Sequence, residues 1–385
     1  MYESYQALWK AVVPWFGAHV LHLARPATAV PSGSGDRFFD WVMILVMLSA
    51  SIVAAVVWSI FDRRARSYPR LFAAFVLYLR FTLARTLFSY GFDKVIPNQF
   101  SPMTPTRLTQ FVGEMSPGGF AWTFLGFSVP YEMFAGFAEV TAATLLLFRR
   151  TTTLGALIGA AVLTNVFMLN MTFDIPVKQY SAHLLLFCGL LVAFDARRLL
   201  DVFVRERATE ARGHTKLFTT PRARVAARIG GFGLAIWMIA STFYAEFSGL
   251  YEYGRLAPHG PLHGIFEVER VTKNGQIQQP LLTDGTLWRR FATSNGTALA
   301  RMATDSLVRY RLETDTVKQT ATLRNGPDST SAIILAYTFV DPTHLVLTGR
   351  ILTDSVEIRL RRRPESSYLL VSRGFHWVSE FPFFR

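Results

Sequence analysis

Residues 38–61 read FFDWVMILVMLSASIVAAVVWSIF, an almost uninterrupted apolar run. A helix needs about 20 apolar residues to cross the roughly 30 Å hydrocarbon core of a bilayer, so this stretch predicts a transmembrane helix. Five further apolar runs follow it, and each approaches or passes that length. The six predicted spans are 38–61, 71–91, 127–148, 152–171, 179–196 and 229–249.

The overall composition agrees with a membrane protein. Of the 385 residues, 51% are hydrophobic, and 33 are Phe. The formal net charge of +13 does not indicate nucleic-acid binding, because the basic residues lie mostly between the apolar runs. The chain has one cysteine, Cys188, which excludes a disulfide framework or a cysteine-based zinc site within one chain.

The distribution of basic residues predicts the orientation. The loops after the first, third and fifth runs hold fifteen Lys or Arg, nine of them in 197–228, whereas the other short segments hold six. Lys and Arg are enriched in cytoplasmic loops. We therefore expect these three loops on the cytoplasmic side of a bacterial inner membrane, and both termini on the extracytoplasmic side.

After residue 253 the hydrophobic pattern changes to a period of two. Val308, Tyr310 and Leu312 alternate with polar neighbours, and the stretch 356–361 does the same. Such alternation indicates half-buried antiparallel strands, and turn signals such as Asn274-Gly275 separate about eight of them. The sequence thus predicts a polytopic α-helical bundle of 38–250, followed by an extracytoplasmic, all-β antiparallel barrel or sandwich of 251–385.

The two ends of the chain lie outside the predicted spans and strands. Residues 8–23 suit an interfacial amphipathic helix better than a span, and 31–35 read as a flexible connector within an extracytoplasmic segment 1–37. The tail 373–385 is rich in aromatic residues. We expect it to fold back on the β domain or on the helix ends; an extra strand of the β domain is the alternative.

Ionisable and amide side chains occur inside or beside the predicted spans. An ionisable group costs at least about 2.5–3.5 kcal/mol at the centre of a membrane helix, so each needs a reason. Most of this set falls at the predicted outer ends of the helices. The candidate ligand-binding cluster is Arg80, Arg85, Asp93, Lys94, Glu132, Glu139, Asn165, Asn170, Asp174, Lys178 and His183.

Two interpretations of this cluster stay open. In the structural one, Glu139 or Glu132 pairs with Arg80 or Arg85 to hold the helices together, since pairing lowers the cost of burial. In the functional one, the cluster lines a polar cavity that opens outward and binds a small molecule with a quinone-like head group. We expect no metal site, because Gly260 and Pro261 interrupt the histidine pair His259 and His263, which otherwise has the spacing of helical ligands.

Residues 80–94, RFTLARTLFSYGFDK, resemble the first helix of DoxX-type membrane proteins, which begins with arginine and ends in a glycine closely followed by lysine. The third run, with Glu139 and LLLFRR at 145–150, resembles the second helix of that family, and TLGALIG at 153–159 resembles its third. The resemblance covers about 70–196, one four-helix unit.

The motif DIPVK at 174–178, followed by His183, and the tail 373–385 resemble a DoxX-like subgroup with an extracytoplasmic β domain. That subgroup has a further helix ahead of the first span, so the resemblance implies that an upstream helix is missing here. Other DoxX relatives are associated with quinone-linked sulfur oxidation, which implies quinone as a candidate cofactor. The order of bundle and β domain is also similar to vitamin-K-dependent carboxylase-like proteins, an analogy of architecture alone.

Three functions follow as hypotheses. The first is a redox-accessory protein whose outward cavity holds a quinone or a lipid-like ligand. The second is a scaffold without enzymatic activity, whose β domain docks a periplasmic protein partner. The third is a membrane enzyme that uses Lys94 or Lys178 together with Glu132 for proton transfer. Membrane lipids are expected partners in all three, and nucleic acid in none.

Overall fold

The structure is a computed structural model that describes residues 2–29, 32, 34–64, 67–210, 217–326 and 332–383. It divides the chain into two compact units. The first, a helical unit, holds the chain up to Gln99 together with Pro117–Ala121 and Ser128–Gly249. The second, a β unit, holds Phe100–Ser116, Trp122–Phe127 and the chain from Leu250 onward.

Eleven α-helices form within the described residues. They are α1 (Tyr2–His19), α2 (Phe38–Phe61), α3 (Pro69–Val95), α4 (Pro105–Thr109), α5 (Pro117–Phe127), α6 (Val129–Leu147), α7 (Thr152–Thr172), α8 (Lys178–Ala193), α9 (Ala196–Phe203), α10 (Pro221–Glu252) and α11 (Leu369–Ser372). Two short 3₁₀ turns occur at Val112–Glu114 and Glu365–Ser367.

Every apolar run of the sequence is helical, but four of the described helices, α2, α3, α7 and α10, are long and apolar enough to cross a membrane. The helix α8 has 16 residues, which at 1.5 Å per residue extend about 24 Å, less than a bilayer core. The helix α6 carries Glu132 and Glu139 within its 19 residues. By length for α8 and by apolar character for α6, these two helices thus differ from the other four.

The helix α1 packs on the start of α2. Val13 has no exposed surface and lies in a small hydrophobic cluster with Phe39 and Val42. Of the predicted connector 31–35, positions 31 and 33 lie outside the described residues. Its last residue, Gly35, donates its amide to the carbonyl of Pro176 at 2.9 Å, so this end of the connector is bound to the turn between α7 and α8.

One hydrophobic core joins α3, α6, α7 and α8. Small residues allow close packing there: a Cβ on Gly155 would lie 2.9 Å from Leu145 Cβ, and a Cβ on Gly159 would lie 3.1 Å from Cys188 Sγ. This glycine pair therefore packs within the bundle. By contrast, the side chains of α2 such as Val53 and Trp58 are mostly exposed on the helical unit, as expected for a surface that faces lipid.

The β unit is a closed antiparallel barrel, which decides between the barrel and the sandwich. Its strands pair in the order β2-β1-β3-β4-β5-β6-β7-β8-β9, and β1 also pairs with β9, so the sheet closes. The described strands are β1 (Gly264–Lys273), β2 (Gln276–Ile277), β3 (Trp288–Ser294), β4 (Thr297–Met302), β5 (Leu307–Asp315), β6 (Thr320–Arg324), β7 (Ala332–Phe339), β8 (His344–Ile351) and β9 (Asp354–Arg363).

The predicted alternation determines which side chains fill the barrel. Tyr310 and Leu312 are buried, while Arg309 and Arg311, which alternate with them, are exposed. The turn Asn274-Gly275 between β1 and β2 has φ of 50° and 82°, the left-handed pair that suits a tight hairpin. The predicted alternation and this predicted turn are confirmed.

The segment ahead of α5 packs against the barrel within the β unit. Arg301 of β4 is only 2% exposed, and its guanidinium donates to both carboxylate oxygens of Glu114 at 2.8 Å. It also donates to the carbonyl of Thr109 at 3.1 Å and lies 3.9 Å from the ring centroid of Phe111. One buried cation therefore binds this segment to the barrel wall.

The tail is not a tenth strand of the barrel. Its described part, up to Phe383, contains no strand after β9, and the side chains of Trp377 and Phe381 are 92% and 84% exposed. The alternative of an additional strand is therefore wrong for these residues. Phe384 and Arg385 lie outside the described residues.

Candidate functional site

A buried ion pair joins the end of α3 to the middle of α6. Lys94 Nζ lies 2.7 Å from Glu139 Oε2 and 2.9 Å from its Oε1, and both side chains are almost fully buried. The helices approach closely because glycines face each other: a Cβ on Gly136 would lie 2.6 Å from the carbonyl oxygen of Gly91. This contact brings the backbones together and lets the two charges meet.

The prediction that Arg80 or Arg85 pairs with Glu139 is wrong. Arg80 is buried, but its guanidinium donates to the carbonyls of Leu146 and Leu147 at 3.0 and 2.8 Å, where α6 ends. The last carbonyls of a helix have no partner inside the helix and attract cations, so Arg80 caps α6. Arg85 is exposed on α3.

A carboxyl pair lies beside the Lys94 pair. The side chains of Asp93 on α3 and Glu246 on α10 are within hydrogen-bonding reach of each other, and Asn98 Nδ2 donates to the backbone carbonyl of Glu246 at 2.6 Å. Two carboxyl groups form a hydrogen bond only when they share a proton. Sequence reasoning missed Glu246, although a carboxylate at the end of an otherwise apolar run was a visible signal.

The turn between α7 and α8 holds a second group of polar residues. Asp36 accepts hydrogen bonds from the backbone amides of Lys178 and Gln179 at 2.7 and 2.9 Å, so it caps the start of α8 from a distant part of the chain. Lys178 Nζ lies 2.7 Å from Asp174. Asp36 was not among the predicted residues, since nothing local in the sequence connects it to α8.

The remaining members of the predicted cluster are dispersed. Asn170 Nδ2 donates to Ser181 Oγ at 3.0 Å, and His183 Nδ1 lies 2.7 Å from the carbonyl of Gln179 within its own helix. Glu132 is fully buried near the start of α6, and Asn165 is exposed on α7. The structure thus brings Asp93, Lys94 and Glu139 together and distributes the other predicted residues over separate contacts.

No group of three or more His, Cys, Asp or Glu side chains that could hold a metal ion occurs among the described residues. The rings of His259 and His263 stack face to face with centroids 3.9 Å apart. Burial, together with the charges of His259 and Arg362, lowers the pKa of His263. His259 and His263 therefore contact each other through the faces of their rings.

A cavity of about 1210 Å³ opens at the other end of the helical unit. Arg80, which contributes to its lining, lies fourteen residues before Lys94 on α3, about 21 Å along the helix. The lining is largely apolar, with Phe72, Phe81 and Phe232 among its members. It also holds five arginines, namely Arg80, Arg149, Arg150, Arg198 and Arg228. Of the predicted site residues, Arg80 alone belongs to this lining.

Three comparisons place the chain among known proteins. No protein-family model matches it, and no solved structure matches it. A protein of Bacillus subtilis (strain 168), described as the uncharacterized protein YwoB, is 40% identical over 129 residues. The match spans 33% of this chain and 80% of the Bacillus protein. At that identity and coverage, the chain belongs to the same family as YwoB.

Proposed function

We propose that this chain is a DoxX-like, multi-pass protein of the bacterial inner membrane that binds a quinone or lipid-like molecule in its helical unit. The cavity of about 1210 Å³ carries the proposal. Pockets for small molecules are mostly apolar with a few polar groups that orient the ligand, and this lining has that composition. The first sequence hypothesis placed the ligand in an outward-facing polar cavity lined by the predicted cluster; we now propose a site at the Arg80 end of the helical unit.

The proposal includes six spans and one orientation. α6 and α8 complete the four-helix core with α3 and α7, and a short helix such as α8 can be accommodated by local thinning of the bilayer. The arginine-rich loops are assigned to the cytoplasm because of their charge. The barrel, which follows α10, is then assigned to the extracytoplasmic side.

The test is ligand recovery from protein purified in a mild detergent, with extracted small molecules identified by mass spectrometry. Ala235 of α10 is buried and lines the cavity, so Ala235→Trp should fill the space and remove the copurified ligand. Ala240→Trp is the matched control, because Ala240 is an exposed residue of the same helix outside the lining. Equal recovery from both variants would place the ligand outside this cavity.

A second candidate function is a scaffold whose β domain docks a periplasmic protein. The exposed aromatic side chains of Phe375, Trp377 and Phe381 favour it, since clustered exposed aromatics are typical of interaction sites. The scaffold would be favoured if a protein partner copurifies in stoichiometric amount and is lost when these three residues are substituted. The same preparation should then contain no bound small molecule. The proton-transfer hypothesis gains less support, because Lys94 and Lys178 are both held in ion pairs.

A further inference from the structure

The cavity has an excess of positive charge. Among the described residues, five arginines line it, and the one carboxylate of this lining, Asp195, is already held by Thr153 Oγ1 and by Arg198 at 3.4 Å. Arg149 lies close enough to Arg80 for their like charges to repel each other. Such a cluster of cations beside an apolar wall is unfavourable unless an anion accompanies it.

Three of the five guanidinium groups have their donors available. Arg80 is occupied by the end of α6 and Arg198 by Asp195. Arg149, Arg150 and Arg228 are exposed, and none of them forms a hydrogen bond or ion pair with another described residue. Guanidinium groups bind phosphate oxygens in bidentate fashion, so these three present a ready set of donors for an oxyanion.

The rest of the lining is suited to hydrocarbon. Apolar side chains from α3, from the end of α6 and from α10 make up most of the wall, including Phe81, Phe148 and Ile236. The volume, about 1210 Å³, exceeds the roughly 300–1,000 Å³ of a typical small-molecule pocket. A small anion alone would leave this apolar surface uncovered, whereas a neutral quinone would leave the three arginines without a counter-charge.

We propose that the cavity binds an anionic phospholipid, with its phosphate held by Arg149, Arg150 and Arg228 and its acyl chains along α3 and α10. This inference rests on the proposed function and narrows its ligand class from quinone or lipid to a phospholipid with a net negative charge. On the cytoplasmic assignment of the arginine loops, the lipid would come from the inner leaflet.

The experiment is a lipid titration of the full chain in detergent, with bound lipid counted by native mass spectrometry. Phosphatidylglycerol and phosphatidylcholine with identical acyl chains are compared, and glycerol phosphate serves as the soluble phosphate without acyl chains. We expect phosphatidylglycerol to bind at least about tenfold more tightly than either, because only it supplies both the net negative charge and the hydrocarbon. Its advantage over phosphatidylcholine should decline as salt is added.

Arginine variants distinguish binding in the cavity from nonspecific attraction to the other basic loops. Arg149→Gln/Arg150→Gln and, separately, Arg228→Gln should weaken phosphatidylglycerol binding by about tenfold and weaken phosphatidylcholine binding much less, because choline already neutralises the phosphate of that lipid. Arg63→Gln/Arg64→Gln removes the same charge from another basic loop outside the lining and should bind phosphatidylglycerol like the parent chain. Retained phosphatidylcholine binding also shows that a variant is folded.

Two results overturn the inference, and they differ from failure of the proposed function. Equal binding of the two phospholipids by the parent chain would exclude recognition of the anionic head group while keeping a lipid site. An equal loss in the Arg63→Gln/Arg64→Gln control would mean that net surface charge, rather than the cavity, attracts the lipid. If Ala235→Trp retained every ligand, the cavity itself, and with it the proposed function, would fail.

Discussion

The amino group of Lys94 lies 2.7 Å from Glu139 Oε2 although the two residues are 45 positions apart and on different helices. Lys94 belongs to the last turn of α3, where the helix dipole favours a cation. Glu139 is buried among apolar side chains of α6, so Lys94 is the cation that compensates its charge. The pair thus acts as a fixed contact between the two helices that share the closest packing in the unit.

Removing one partner of this pair should destabilise the helical unit. Glu139→Gln leaves the ammonium of Lys94 buried without its paired carboxylate, and breaking a buried pair in this way costs about 3–5 kcal/mol. The measurement is unfolding of the helical unit in detergent micelles, followed by circular dichroism. Asp174→Asn is the control, because Asp174 is exposed in its pair with Lys178 and should cost at most about 1 kcal/mol.

The double variant Lys94→Met/Glu139→Leu should be more stable than Glu139→Gln. It removes both charges and keeps the volume, so it should recover most of the stability that Glu139→Gln loses. A Glu139→Gln protein as stable as the parent would show that the carboxyl group is solvated or already protonated. Glu139 would then be a better candidate for function than for structure.

A methyl group at Gly136 should separate α3 from α6. The Cβ of Gly136→Ala would meet the Gly91 carbonyl oxygen at 2.6 Å and the Val95 amide nitrogen at 2.8 Å, and backbone atoms cannot move aside as a side chain does. Overpacking costs about 1–3 kcal/mol, and the shift would also lengthen the Lys94–Glu139 contact. Thermal unfolding in micelles measures the loss.

Gly189→Ala is the matched control for this substitution. A Cβ on Gly189 of α8 would meet no neighbouring atom of the described residues within 4 Å. Alanine there should therefore be neutral or stabilising by up to about 1 kcal/mol through helix propensity. Equal melting temperatures for the two variants would show that α3 and α6 do not meet at these glycines.

The partner of Glu139 could not be predicted because helical periodicity determines which face a residue occupies, not which neighbour it meets. Arg80, Arg85 and Lys94 all lie on α3, and the choice depends on how α3 and α6 are aligned along their axes. In the structure, the Gly91–Gly136 contact and the capping of α6 by Arg80 set that alignment. These are long-range packing features without a local sequence signal.

The β unit was more predictable in its strands than in its attachments. A period of two and the turn residues identified the strands, because each is a local property of the chain. Closure of the barrel requires β1 to pair with β9, about ninety residues later, and alternation alone does not distinguish that pairing from a sandwich. The contact between Glu114 and Arg301 spans 187 residues and had no signal in either segment alone.

The Glu114–Arg301 pair should make the stability of the β unit depend on pH. The Arg301 guanidinium holds the pKa of Glu114 below its ordinary value of 4.5. A carboxyl whose pKa is lower in the folded state stabilises that state above its unfolded pKa, and the contribution disappears as pH falls through the folded pKa. Glu114→Gln should therefore lower the melting temperature at pH 7 and reduce its decline below about pH 4.5.

Glu313→Gln serves as the comparison for Glu114→Gln. Glu313 pairs with Arg311 at 3.5 Å on the exposed face of β5, and exposed pairs contribute at most about 1 kcal/mol, so the melting temperature at pH 7 should hardly change. If Glu114→Gln has no larger effect at pH 7 than Glu313→Gln, the segment ahead of α5 is not bound to the barrel through Arg301.

Removal of the aromatic tail should leave the barrel intact. No strand after β9 occurs in the described tail, and Trp377 and Phe381 are exposed, so deleting 375–385 removes little core contact. Thermal unfolding of the full chain and the truncated chain, followed by the near-ultraviolet signal of the β unit, should give the same transition.

As a positive control, Phe266→Ala removes a fully buried ring and should cost about 3–5 kcal/mol. A transition lowered by truncation as much as by Phe266→Ala would show that the tail belongs to the core.

The orientation of the chain can be tested by cysteine labelling. Cys188 is the one native cysteine and has no exposed surface, so Cys188→Ala provides an unlabelled background. A membrane-impermeant maleimide added to intact cells with a permeabilised outer membrane should label Ser32→Cys and Ser306→Cys, both at exposed positions. Thr215→Cys, in the segment 211–216 that lies outside the described residues, should react only after the inner membrane is opened. Moving the nine basic residues of 197–228 across the membrane would oppose the strongest charge signal in the chain. Labelling of Thr215→Cys from outside would therefore invert the whole orientation, and it would place the arginine-lined cavity in the outer leaflet.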